Sequence, residues 1–394
     1  MNTALIDYCR SEIASLREAK TYKTERVLAG PTGARVRVDG RDVLMLTSNN
    51  YLGFANHPRV VDAAKQALDR WGNGLGSVRF ICGTQELHKE LERTISRFFG
   101  TEDTILYMSC WNANEGLFQP LLLEDDALLT DGLNHASIID GVRLCKAKRY
   151  VTPHGDMAAL EKALQDAQAQ RRRLFITDGV FSMEGEIAPL REMADLCERY
   201  DTTLAVDDSH ATGVLGATGR GSAEHVGVMD RVPVFTGTLG KAMGSAAGGF
   251  TTGPAPLVDL LRQRSRTTLF SNSLPPAVAG ASLEAFKMLM EDPTPVRKLQ
   301  SNALYYRTKI KAAGFTIPEG VHPIVPVIVG DTAKALAMSA ALFEKGVYVS
   351  GFGYPVVPQG HARLRCQISA VHSEADLDEA VAAFVAVGRE FGVV

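Results

Sequence analysis

Cysteine is scarce in this chain of 394 residues and follows no pattern. Its six copies (Cys9, Cys82, Cys110, Cys145, Cys197 and Cys366) include no Cys-x-x-Cys and no paired spacing. A disulfide framework is therefore not expected, and free thiols in a reducing cytoplasm are. The nine histidines include no His-Glu-x-x-His and no Cys/His cluster, which argues against a metal site. No apolar run approaches the roughly 18 residues that a membrane span needs, so no membrane association is expected. An excess of one charge is missing too. Lysine and arginine number 42 against 45 acidic residues, a formal net charge of −3, and nothing in that balance suggests nucleic-acid binding. The basic run Arg171-Arg172-Arg173 is short, precedes a predicted strand and reads as a solvated turn. There is no internal repeat and no low-complexity stretch.

What remains is an ordinary globular composition, 45% hydrophobic and 22% charged, in a chain longer than one typical domain. Near the N-terminus, Leu5, Ile6, Ile13 and Leu16 lie among alternating charges and predict an amphipathic helix; a targeting peptide would look different. From about residue 85 to 250, short apolar strands alternate with helical patterns. Strands are expected near 104–108, 127–131, 174–178, 203–207, 232–236 and 249–252, with helices at 156–167 and 189–200, the latter opened by Pro189 in its first turn. This alternation predicts an α/β protein with a mainly parallel sheet covered on both faces, and ligands at the carboxyl ends of its strands. The punctuation Asp292-Pro293-Thr294-Pro295 marks a boundary, followed by a small α/β domain with strands at 324–329, 347–350 and 362–369 and helices at 333–345 and 374–391. The expected division is an N-terminal segment 1–55, a large domain 56–285 and a small domain 286–394.

The chemistry gathers at strand ends. Val234-Phe235-Thr236-Gly237-Thr238-Leu239-Gly240-Lys241 runs from an apolar strand into a turn that presents one amine. Such an amine forms a Schiff base with a carbonyl cofactor when its pKa is lowered. Ala205-Val206-Asp207-Asp208-Ser209-His210 and Asp131-Gly132-Leu133-Asn134-His135 end two further strands in a carboxylate and an imidazole. A lysine in a glycine-rich turn, a capping aspartate or a lone histidine is by itself commonplace. Together, one lysine, one aspartate and two histidines at strand ends make up a protein's share of a pyridoxal phosphate (PLP) site. Ser109-Cys110-Trp111-Asn112-Ala113-Asn114 follows another strand and opens a helix. Its free N–H groups suit a phosphate and its tryptophan a flat ring, although an N-capped helix with a buried tryptophan fits equally well. Gly72-Asn73-Gly74-Leu75-Gly76 and Gly237-Thr238-Leu239-Gly240-Lys241-Ala242 are poor matches to nucleotide-binding fingerprints. In 362–369, Arg363 and Arg365 alternate onto one strand face, either as a carboxylate clamp or as an exposed basic strand.

Over essentially its whole length the chain resembles the α-oxoamine synthases, a subfamily of fold type I PLP enzymes. The strings that carry the resemblance are SNNYLGFANHP (48–58), SVRFICGTQELHKELE (77–92), DGLNHASIIDGVRLCKAKRY (131–150), TDGVFSMEG (177–185), VDDSHATG (206–213), TGTLGKAMG (236–244), LFSNSLPP (269–276) and YPVVPQGHARLRCQIS (354–369). Strings 77–80 and 134–150 favour the members that join glycine and acetyl-CoA, giving 2-amino-3-oxobutanoate and CoA, a step of threonine breakdown. An oxononanoate-synthase-like choice of amino acid and acyl-CoA is the alternative. The resemblance implies a sheet of seven strands and a homodimer with shared sites. It further implies that Lys241 carries the cofactor and moves protons, that His135 stacks on the ring, and that Asp207 pairs with the ring nitrogen. His210 and Ser182 would contact O3′. Backbone amides of Cys110 and Trp111, the Thr238 hydroxyl and, from the neighbouring subunit, Ser271 would hold the phosphate. Asn50 and Arg365 would bind the glycine carboxylate. Trp111 stands where relatives carry Phe or Tyr, so an aromatic ring is kept.

Overall fold

A computed structural model describes residues 3–19 and 21–394. Its centre is a sheet of seven strands, β1 (Asp103–Tyr107), β2 (Ala127–Asp131), β3 (Lys148–Thr152), β4 (Arg173–Asp178), β5 (Thr203–Asp207), β6 (Val234–Thr238) and β7 (Gly249–Gly253), in the order β1-β7-β6-β5-β4-β2-β3. All neighbours run parallel except β7, which is antiparallel to both β1 and β6. Apolar residues follow one another without polar alternation because both faces are covered. Leu129, Phe175, Leu204, Val206, Phe235 and Phe250 enter one core. Leu128, Leu174, Ile176, Ala205 and Val234, one residue out of phase, enter the core on the other face.

β3 was not among the expected strands. It lies at the sheet edge, and its Lys148, Arg149 and Val151 are exposed. Charged, solvent-facing residues are how an edge strand avoids further pairing, and they remove the apolar signature at the same time. The expected strand at 347–350 is two strands. Val347–Tyr348 runs parallel to Arg41–Met45, whereas Ser350–Phe352 pairs with Ala362–Gln367. The chain changes sheets at Val349, which is wholly buried; a short apolar run carries no sign of such a crossing. Pro189 precedes the helix Leu190–Arg199 as its cap and is not in its first turn.

Beyond the large sheet, Ala362–Gln367 is the middle strand of a three-stranded antiparallel sheet with Ile324–Gly330 and Ser350–Phe352. Leu364 and Cys366 face a separate core built with Tyr306, Val325, Val327 and Phe384, which also takes in Leu44 and Leu46 from near the N-terminus. The amphipathic helix is present as α1 (Ala4–Glu18), and none of its residues is buried. All six cysteines are free thiols. Among the described residues no helix is long and apolar enough to cross a membrane.

Candidate active site

Three of the parallel strands, β2, β4 and β5, end in aspartates on one edge of the sheet. Asp178 and Asp207 close β4 and β5 as register partners, and Thr236 of β6 stands opposite Asp207. Three residues beyond β6, the turn delivers Lys241. The first turn of α2 (Cys110–Glu115), capped by Ser109 Oγ accepting from Asn112 N at 3.2 Å, comes from the end of β1. Gly249 makes this approach possible, since a Cβ there would lie 2.3 Å from Cys110 N. Helix α3 (Ala136–Leu144) starts at His135 beyond β2.

These elements enclose a cavity of about 210 Å³ lined by Cys110, Trp111, His135, Ser182, Asp207, His210, Thr238 and Lys241, together with Ser109, Ser137, Asp178 and Ser209. Eight of the residues singled out from the sequence are thus brought together. A larger depression of about 530 Å³ beside Gln119, Leu144 and Lys146 holds no comparable group of reactive side chains. Ser271 lies outside the cavity, beside Met108, Thr268 and Asn272. Asn50 is buried and structural in its visible bonds: its Oδ1 accepts from Ala55 N at 3.1 Å, and its carbonyl accepts from Ser369 Oγ at 2.8 Å. Asp178, Ser137 and Ser209 are members that the motif reading left without a role. Only the position of Asp178 at the end of a predicted strand hinted at it.

Burial lowers the Lys241 pKa below that of an ordinary lysine; Asp207, Cys110 and Asp178 oppose that shift and Arg365 adds to it. Asp207 accepts from Asn114 Nδ2 at 2.6 Å and from Ser209 N at 2.9 Å, with Cys110 Sγ at 3.7 Å. Burial and the neighbouring Asp207 push Asp178 well above a usual carboxylate, although its Oδ2 accepts from His135 N at 2.7 Å. The His135 ring has Trp111 edge-on at a centroid distance of 6.0 Å, and desolvation keeps it below its ordinary pKa against the pull of Asp207. Trp111 is 40% exposed, so the buried-tryptophan alternative fails. His210 is held well below its usual pKa by burial, then by Lys241 and Arg365. Its Nδ1 lies 2.9 Å from the Tyr51 hydroxyl, which leaves Nε2 as the ring's other polar atom.

The two arginines differ in their partners. Both are buried, which excludes an exposed basic strand. Arg363 Nη1 donates to Glu184 Oε1 and to the Met183 carbonyl, each at 3.1 Å. Arg365 Nε and Nη2 are buried and unpartnered. Unmade bonds on a buried guanidinium are costly and point to an absent anion. A lysine of lowered pKa, a buried carboxylate, two imidazoles of lowered pKa and a helix start at Cys110 fit PLP with an amino-acid substrate.

A family model, Aminotransferase class I and II, matches residues 41–384. The chain belongs to the aminotransferase class I and II family. Within this family it is 54% identical over 385 residues to the mitochondrial 2-amino-3-ketobutyrate coenzyme A ligase of Homo sapiens, covering 97% of this chain and 92% of that one. It is 48% identical over 383 residues to 8-amino-7-oxononanoate synthase of Thermosipho melanesiensis, covering 97% and 98%. A solved structure of SPT with PLP internal aldimine superposes with a TM-score of 0.95 at 30% identity, covering 100% of both chains.

Proposed function

We propose that the chain is a PLP-dependent acyltransferase that interconverts glycine and acetyl-CoA with 2-amino-3-oxobutanoate and CoA. The observation that carries the reading is the meeting of Lys241, Asp207, His135 and His210 in one cavity, with the Arg365 guanidinium, whose Nε and Nη2 lack partners, close enough to act on Lys241 and His210. PLP, when bound, supplies an electron sink for the carbanion left at the substrate Cα. The protein's part is to bind, aim and move protons. Asp207 would face the ring nitrogen and favour its protonated form. His135 would stack on the ring, and His210 and Ser182 would contact O3′. Cys110 and Trp111 amides and the Thr238 hydroxyl would hold the phosphate, joined by Ser271 of a second copy. Arg365, with Asn50, takes the glycine carboxylate. Lys241 Nζ removes the Cα proton, a new C–C bond forms to the thioester carbonyl, and the C–S bond breaks to release CoA thiolate.

A homodimer with shared sites belongs to this reading. Its support is the exposed apolar surface of α1 and of Phe80, Ile81 and Phe270, the last two at 70% and 71% exposure. A large domain over residues 56–285, a small one over 286–394 and an N-terminal segment over 1–55 complete the proposed organisation, in a cytoplasmic protein consistent with unpaired thiols.

A second reading, in which another amino acid and a longer acyl-CoA are joined, has behind it the 48% identity to an oxononanoate synthase, below the 54% to the ligase. A thiol-release assay decides between them. Glycine and alanine are each paired with acetyl-CoA, longer acyl-CoAs and pimeloyl-CoA. The highest kcat/KM is expected for glycine with acetyl-CoA. A higher value for alanine with pimeloyl-CoA establishes the second reading, and no thiol release with any pair removes both.

A further inference from the structure

Behind the cavity lies a polar network to which the reaction above gives no role. Asn114, on α2, is wholly buried. Its Nδ2 is 2.6 Å from Asp207 Oδ2 and 3.0 Å from Ser137 Oγ, and its Oδ1 is 2.7 Å from Thr236 Oγ1. An ionised carboxylate only accepts, so the NH2 edge of the amide faces Asp207 and the carbonyl edge takes the Thr236 proton. The second N–H goes to Ser137 Oγ. That oxygen lies 2.7 Å from His135 Nδ1, which also accepts from the Ser137 backbone N–H at 3.2 Å. A backbone N–H can only donate, so His135 Nδ1 is bare, Ser137 sends its hydroxyl proton there, and the ring proton sits on Nε2. One side-chain amide, oriented by Thr236, therefore governs both groups that the PLP reading sets against the ring.

We propose that Asn114 is a positioning residue for the cofactor, holding Asp207 as an aimed carboxylate and, through Ser137, holding His135 as the Nε2–H tautomer. The proposal rests on the PLP reading of the cavity. It deepens that reading by assigning the grip on the ring nitrogen to an amide that touches neither cofactor nor substrate. An apolar residue of similar size in its place leaves Asp207, Ser137 and Thr236 each with an unmade bond.

The test is a double-mutant cycle on the full chain, with the PLP dissociation constant measured by equilibrium dialysis of the apoprotein. Asn114→Leu is expected to weaken PLP about ten- to a hundredfold, the range for a bond to a charged group. In an Asp207→Asn background the loss should be clearly smaller, because the charge it serves is gone and only the link through Ser137 to His135 remains. The pH midpoint of the visible band of the reconstituted protein should shift in Asn114→Leu, which mere loosening of the helix would not cause. Thr236→Val guards against misfolding of the leucine variant. It removes only the orienting hydroxyl and should weaken PLP in the same direction in an apoprotein that still unfolds cooperatively, at a melting temperature lowered by the bond that buried Asn114 Oδ1 loses. Equal losses in both backgrounds, or binding within about twofold of wild type for Asn114→Leu and Thr236→Val, overturn the proposal. Failure of wild type to bind PLP overturns the underlying PLP reading instead.

Discussion

Arg365 and Arg363 are two residues apart on one buried strand, yet of the two only Arg363 forms an ion pair, with Glu184, whereas Arg365 bonds to Tyr51 and keeps Nε and Nη2 without partners. The guanidinium with two unpartnered nitrogens should therefore be the one that meets a substrate carboxylate. A planar fork matches that group better than an ammonium does, so lysine should substitute poorly. Arg365→Lys and Arg365→Ala are expected to raise the glycine dissociation constant about ten- to a hundredfold, the equivalent of roughly 1.5–3 kcal/mol. Glycine titration of the visible band reads this. Glycine affinity within about twofold of wild type would show that another group holds the carboxylate. Lys241→Ala should abolish the visible band and reduce turnover by at least about 10²-fold, the low end for a lost general acid–base group. Steady-state assays of a variant that keeps activity within about tenfold would refute the role of the lysine.

The identities of these residues were legible because each ends a recognisable strand or sits in a recognisable string. Which arginine keeps unpartnered nitrogens was not legible. Strand alternation puts both on one face, and only the approach of Glu184 from a distant hairpin separates them.

At the scale of elements, the loop after β3 brings His154 between Asp131 and Glu186, with the Phe181 ring centroid 4.2 Å from its own. The hydrogen bond to Asp131 raises its pKa from 6.5 to about 9. The folded protein therefore binds this proton more tightly than the unfolded chain does. The stabilisation is complete below the unfolded value of 6.5 and is lost as pH rises through about 9. Urea unfolding of His154→Gln should show a deficit of about 1–3 kcal/mol near pH 6 that shrinks towards zero near pH 10. A deficit independent of pH would mean that the ring acts by packing alone. Gly249 makes a second element-level case. A methyl group there would meet the backbone of Ser109 and Cys110 at 2.3 Å, and neither strand nor helix start can yield easily. Gly249→Ala should cost about 1–3 kcal/mol of stability, the usual range for overpacking, and should weaken PLP retention. Thermal melts with and without PLP measure both.

Elements with strong apolar runs were readable to within a residue or two: β2 and β5 fall at the expected positions. The edge strand β3 was not, because exposure gives it a charged composition. Nor was the split at Val349, because two short strands in different sheets look like one apolar run.

For the whole molecule, α1 buries none of its residues, and its Leu5, Ile6, Ile13 and Leu16 are 69%, 51%, 42% and 45% exposed. An apolar stripe of that kind calls for a partner surface, and the proposed dimer supplies one. Sedimentation at assay concentration should give a dimer, and a monomer would contradict it. Arg365 and Lys241 influence one another within a single chain. Mixing inactive Lys241→Ala subunits with inactive Arg365→Ala subunits should therefore restore no activity. Recovery towards a quarter of wild type would assign the two residues to sites built from different chains.

The sequence by itself determined the α/β class, the positions of the buried strands along the chain and the identity of the lysine, aspartate and histidines. Those properties are local: an apolar run bounded by polar residues declares a buried strand, and the residues that follow it lie at the carboxyl edge whichever neighbour it chooses. Tertiary structure decided everything that depends on approach between distant segments. It brought Glu184 to Arg363 and left two Arg365 nitrogens without partners, closed Asn114 between Asp207 and Thr236, and lowered the Lys241 pKa. Charge pairing, hydrogen-bond direction and desolvation are set by what surrounds a group, and residues 93, 122 and 179 positions away supply those surroundings.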